Sequence, residues 1–381
     1  MNLTTTAYGT WSGGRFMHFG EPLDEARYIA AVQHAYESGI RTFMSADTYG
    51  QGDADSILGR ALAGIPRDSY CLVGAVGHDF YKGERSGAKG FPRFTNPELR
   101  GPDEYGDYLK MAAEKSLERL GSDSFDLLML HNPDHIGYSS SAVWDGMDAV
   151  KQQGLTRMLG LAPGPANGFT LDIITCFEAF GSQIDWAMLI LNPLEPWPGS
   201  LALPAAEEFG VKVVTRVVDY GGVFHGDVKP GHLFSDRDHR TFRPQGWVEA
   251  ANEKLDQLRP ITERHGITML HLACLWNLAQ PAVESVIPTI IQEIGDDARP
   301  IEEKIRELAN LPTDIQLTEE ELQQISAIGN NKGCMTLKGG NHEHSGEPLP
   351  DRWELTDELK DAGTRWGIQP EEDLAYLHAA G

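Results

Sequence analysis

The chain has 381 residues, 41% of them hydrophobic, with 56 acidic against 32 basic side chains and a formal net charge of −24 at pH 7. That length can bury a large core, while so negative a field repels polyanions and argues against nucleic acid or an anionic membrane as a partner. No apolar run is long enough to span a bilayer, and the polar N-terminus lacks a basic region followed by an apolar stretch, so a soluble cytoplasmic protein is expected.

Strand-length apolar runs alternate with helical patterns from the N-terminus onward, the signature of βα units around a parallel sheet. Strands are predicted over residues 5–11, 42–45, 71–75, 127–130, 158–161, 187–191, 211–215 and 283–287. The first clear helix, 24–37, carries Ile29, Val32 and Tyr36 at helical spacing, and another over 104–120 stops before Gly121. Gly39, Gly121, Gly154, Gly210 and Gly266 punctuate the handovers from helix to the next element. Cys71, Cys176, Cys274 and Cys334 form no CxxC pair and read as isolated buried thiols.

Three segments break this economy. Residues 77–101 form a long connection after the third strand, with Lys82, Arg85, Lys89, Arg93 and Arg100. Residues 217–245 form another after the seventh strand, with Asp219, His225, His232, Asp236 and His239. Both follow strands, so in a barrel both lie at the face where active sites are built. The histidines there lack diagnostic metal-ligand spacing, as do His342 and His344 in the tail, and no metal is expected. The tail, 334–381, is predicted as an extension packed on a body of residues 1–333 through Trp353 and Trp366, with short helices over 354–362 and 371–379.

Gly39-Ile40-Arg41-Thr42-Phe43, Tyr49-Gly50 and Ile57-Leu58-Gly59-Arg60-Ala61-Leu62 open a series of segments in fixed order. Leu117 to Gly121, then Asp126-Leu127-Leu128-Met129-Leu130-His131, then Val150-Lys151-Gln152-Gln153-Gly154 with Gly160-Leu161 continue it. In order and spacing, over roughly residues 5–333, the series resembles the aldo-keto reductase superfamily. The resemblance implies an α/β fold, a TIM (β/α)8 barrel, with long loops at its C-terminal face and a C-terminal extension.

It also implies a site. In the family a tyrosine donates a proton while NADPH delivers hydride; a histidine orients the carbonyl, and an Asp–Lys pair acidifies the phenol. By motif, the tyrosine is Tyr49 and the histidine His131, but the aspartate position is Met44 and the lysine position Ala75. The usual Ser-Asn contacts to the nicotinamide amide read Ala162-Pro163, the strand-six glutamine reads Met188, and the stacking aromatic reads Arg216. The phosphate loop continues from Pro288 into Thr289 and acidic residues.

On these losses the expectation is that no cofactor is used. The chain is then an enzyme of redox-neutral acid/base chemistry, a lyase, isomerase or epimerase acting on a small hydroxy-carbonyl or oxidised-sugar molecule. Tyr49, His131 and Asp47 are the catalytic candidates, and Arg216, Asp219, Trp11 and His225 the substrate-binding ones. The alternatives are an oxidoreductase using NADP or NAD in an altered pose, and a non-catalytic ligand-binding protein. Oligomeric state is not legible.

Overall fold

A computed structural model describes residues 1–86, 90–164, 169–295, 297–331 and 355–374. Eight parallel strands pair in chain order: β1 (Ala7–Gly9), β2 (Thr42–Met44), β3 (Cys71–Val76), β4 (Phe125–His131), β5 (Thr156–Ala162), β6 (Trp186–Ile190), β7 (Lys212–Arg216) and β8 (Val283–Ile287). A parallel bridge between Thr6 and Val286 links the last strand back to the first, giving the (β/α)8 barrel.

Around it, in order, run α1 (Glu25–Glu37), α2 (Asp53–Leu62), α3 (Tyr105–Leu120), α4 (His135–Ser139), α5 (Ser141–Gln152), α6 (Thr170–Phe180) and α7 (Leu203–Glu208). There follow α8 (Trp247–His265), α9 (Met269–Leu278), α10 (Ile301–Ala309), α11 (Glu319–Gly329), α12 (Asp357–Trp366) and α13 (Pro370–Asp373). The first helix starts one residue later than its pattern suggests because Asp24 caps it, accepting from the Arg27 amide at 2.8 Å.

Period-two alternation along the strands divides the core. Met44, Val73, Ala75, Leu127, Met129, Met188 and Ile287 pack in one buried cluster inside the barrel. Their neighbours Phe43, Leu72, Leu128, Leu130 and Leu189 belong to the cluster shared with the helices. The first strand is shorter than its apolar run because the chain turns at Trp11, whose backbone is already helical. Gly9 permits this: a Cβ there would lie 2.5 Å from the Trp11 ring, which covers the residue.

The described part of the tail packs against the outer layer. Arg365 and the Trp366 indole both bind the Glu178 carboxylate of α6, the indole at 2.9 Å, and Trp366 also meets Phe209. The first tail helix lies a few residues later than predicted, because Thr356 caps its start and Gly367, at φ 66, ends it. Its successor is described only over Pro370–Asp373, where the Asp373 carbonyl accepts from the Trp197 indole at 2.6 Å. Trp353, His342 and His344 lie outside the described residues.

Candidate functional site at the C-terminal mouth of the barrel

Four rings line up edge to face across the mouth. Trp11, after β1, meets Tyr49 with centroids 6.4 Å apart; Tyr49, after β2, meets His131 at 5.7 Å; and His131, ending β4, meets His78, after β3, at 5.3 Å. Arg216 ends β7 and reaches toward the end of β5, its Nη2 donating to the Pro163 carbonyl at 3.0 Å. Tyr49, His131, Trp11 and Arg216 therefore share the mouth.

His131 is aimed by a clamp on the residue after it. Asn132 takes a left-handed backbone, φ 45, uncommon for a side-chain-bearing residue. Its amide donates to the Ala162 carbonyl at 2.7 Å, its carbonyl accepts from Arg93 Nε, and its side-chain amide donates to His78 Nε2 at 3.2 Å. His78 Nδ1 then donates to the Phe91 carbonyl at 3.0 Å, which fixes the neutral tautomer. Gly77 lies so close that a Cβ would come within 2.3 Å of the His131 carbonyl oxygen. Sequence reasoning missed His78 and Asn132 and counted Arg93 only as a loop cation. Their one sequence signal is position, just past β3 and β4.

Burial governs the charges here. It lowers His131 well below the usual histidine range, helped by His78, Arg216 and Arg93, so the ring is neutral. Burial likewise lowers His78 to about 3, with Arg93 adding to the effect. It raises the Tyr49 phenol, and Arg216 is the cation that opposes this. Met44 and Ala75, both in the interior apolar cluster, leave Tyr49 without the acidifying pair that the resemblance implies.

Asp47 stands apart from the ring series. It is fully buried with neither carboxyl oxygen hydrogen-bonded, and burial, then Asp55, raises it well above the carboxylate range while Arg119 opposes them. Burial and Asp55 thus favour its protonated form.

Asp219 and His225 are committed to backbone. Asp219 accepts from the Gly222 amide at 2.8 Å and the Thr289 amide at 2.7 Å, and His225 Nε2 donates to the Thr289 carbonyl at 2.9 Å. The pair joins the loops after β7 and β8. Farther along the rim, buried Arg240 binds Asp238 at 2.7 Å and Glu293 at 2.6 Å, His232 adds a contact to Glu293 at 3.2 Å, and the Gly20 amide donates to Asp238 at 2.8 Å. This clasp ties the loops after β1, β7 and β8 together. Among the described residues no group of three His, Cys, Asp or Glu side chains converges as a metal site.

The clasp makes stability depend on acid. Burial raises the Glu293 carboxyl, but hydrogen bonds from His232 and Arg240 outweigh it and hold it at about 2, below the usual 4.5. A carboxyl depressed on folding stabilises fully above its unfolded pKa, and that contribution is lost as pH falls through the folded value. Urea titrations should show a decline between about pH 4.5 and pH 2 that is shallower in Glu293→Gln. Parallel curves for the two proteins would refute the assignment.

The model of the Aldo/keto reductase family matches residues 6–330. The chain belongs to the aldo/keto reductase family. It is similar to a probable voltage-gated potassium channel subunit beta of Oryza sativa subsp. japonica, 24% identical over 344 residues that cover 87% of this chain and 94% of that protein. Among solved structures, the glycerol dehydrogenase of Gluconobacter oxydans aligns with a TM-score of 0.67 at 21% identity, over 86% of this chain and 92% of that one. An aldo/keto reductase of Klebsiella pneumoniae, in complex with NADP and acetate, aligns with a TM-score of 0.58 at 18% identity, over 88% and 95%.

These findings overturn the expectation that no cofactor is used: membership in the family, with a solved neighbour that carries NADP, points to a nicotinamide nucleotide. The expectation weighed lost side-chain contacts at Ala162, Pro163 and Met188 and gave too little to the scaffold that remains. Beside the ends of β5, β6 and β7 lies a cavity lined by Pro163, Ile173, Met188, Ile190, Ala202 and Arg216. Its walls are mostly apolar, the character a nicotinamide ring packs against. The Pro163 carbonyl is already taken by Arg216, so this reductase scaffold would hold the amide differently from the pattern the resemblance implies.

Proposed function

We propose that this aldo/keto reductase is a nicotinamide-linked oxidoreductase acting on small carbonyl compounds, with an altered cofactor pose. The observation that carries the reading is Tyr49 set edge-on to neutral His131, with Arg216, which acts on both, lining a mostly apolar cavity at the ends of β5, β6 and β7. Pro163, Met188 and Ile190 would hold the ring, and the nicotinamide, when bound, supplies hydride. The buried Tyr49 phenol keeps its proton at neutral pH and can donate it to a carbonyl oxygen. His131, uncharged, can present an N–H to the same oxygen and orient it. Trp11 closes the far side of Tyr49 and keeps water from that flank.

The test is direct binding followed by turnover. Purified protein should bind NADH or NADPH saturably, measured by fluorescence, and oxidise it when supplied with aldehydes and hydroxy-ketones. Failure to bind either dinucleotide would sink the proposal. A second reading is favoured by the Met44 and Ala75 positions, which deprive the phenol of its usual acidifying pair. In it, Tyr49 and His131 carry out redox-neutral proton transfer on a hydroxy-carbonyl compound. Product formed well in excess of nicotinamide consumed would select that reading.

A further inference from the structure

The buried arginines of this protein are answered by carboxylates. Arg240 has Asp238 and Glu293 at 2.7 and 2.6 Å, Arg243 has Glu195 at 4.0 Å, and Arg100 binds Asp79. Arg216, half-buried at the mouth, is different. Its Nε is shielded from solvent with no hydrogen-bond partner, its one bond from Nη2 goes to a neutral carbonyl, and no carboxylate lies within ion-pairing distance among the described residues. Burial pulls its guanidinium below the usual value, and the groups that oppose this are two phenols, Tyr49 and Tyr138.

A half-buried cation with its Nε out of solvent and no counter-charge among the described residues is costly, and a chain with 56 acidic side chains has ample means to supply one. The missing partner is therefore sought in a ligand. Arg216 also acts electrostatically on both Tyr49 and His131, so an anion bound to it sits in the mouth where the carbonyl is handled. Arginine presents a planar set of donors suited to carboxylate and phosphate oxygens.

We propose that Arg216 is an anion subsite, and that the substrate is a carbonyl compound carrying a carboxylate or phosphate group which the Arg216 guanidinium, lining the cavity, binds. This rests on the carbonyl-oxidoreductase reading above and names its substrate class. Glycolaldehyde and glyoxylate, and glyceraldehyde and its 3-phosphate, form matched pairs of uncharged and anionic carbonyl probes. Calorimetric titration of the nicotinamide-loaded protein should favour the anionic member of at least one pair by about tenfold to a hundredfold, the range of a charged hydrogen bond. Arg216→Gln should abolish that preference and Arg216→Lys restore part of it, with thermal unfolding followed to show that both variants fold.

Equal binding of charged and uncharged members by the unaltered protein would overturn the proposal. So would an Arg216→Gln variant that loses dinucleotide affinity yet keeps its preference for the anionic probe, since Arg216 would then serve the pyrophosphate. The function reading fails separately. Arg216-dependent binding of the anionic probe with no nicotinamide oxidation would sink that reading and leave this one standing, whereas turnover indifferent to substrate charge would do the reverse.

Discussion

Tyr49→Phe should lower the rate of carbonyl reduction by about 10²- to 10⁴-fold while leaving dinucleotide affinity unchanged, because it removes the proton donor and keeps the ring. Dinucleotide affinity is spared because Trp11 and His131 contact the ring of Tyr49 edge-on, and phenylalanine preserves both contacts. The pH profile gives an independent reading. Burial raises the phenol above 10, so reduction that uses it as an acid persists through neutral and mildly alkaline pH. It is lost only as pH rises through that folded value. Oxidation of an alcohol needs the phenolate and should be slow at neutral pH. A Tyr49→Phe enzyme with an unchanged rate would remove Tyr49 from the chemistry.

Putting back the Asp–Lys pair should cost stability and gain rate. Met44 is 3% exposed and Ala75 1%, both inside the barrel. Met44→Asp alone places an unpaired carboxyl in that core and should destabilise by about 3–5 kcal/mol, unless the group stays protonated. Ala75→Lys alone should cost a similar amount. Together the two charges can pair, so the double variant should be more stable than the sum of the singles by about 1–3 kcal/mol in urea unfolding. A cation restored beside Tyr49 would lower its pKa and raise reductive turnover. Strict additivity, with no gain in rate, would show that the two positions no longer meet near the phenol.

The site and its surroundings were unevenly legible. The positions of Tyr49 and His131 at the mouth could be read because one follows a strand and the other ends one, each inside a segment of fixed spacing, and a parallel barrel delivers strand ends to one face. Asp219 and His225 carry suitable chemistry and lie in the right loop, yet the fold commits both to the backbone around Thr289. No sequence feature distinguishes a carboxylate that caps a loop from one that meets a ligand. Arg240, unremarked in the sequence, holds the clasp because the loops after β7 and β8 meet on it, and the loop after β1 joins them through Asp238.

Alternation of apolar residues with period two, the glycine stops and the order of the segments determined the eight βα units by themselves, since those signals are local and each strand pairs with its chain neighbour. That Met44 and Ala75 stand where the resemblance implies a charged pair was equally plain from the sequence. Tertiary structure alone decided which polar side chains are spent on holding loops and which are left over. Hydrogen bonding and desolvation depend on what packs against a group from elsewhere in the chain, and so the unanswered charge of Arg216 became visible only once the barrel closed.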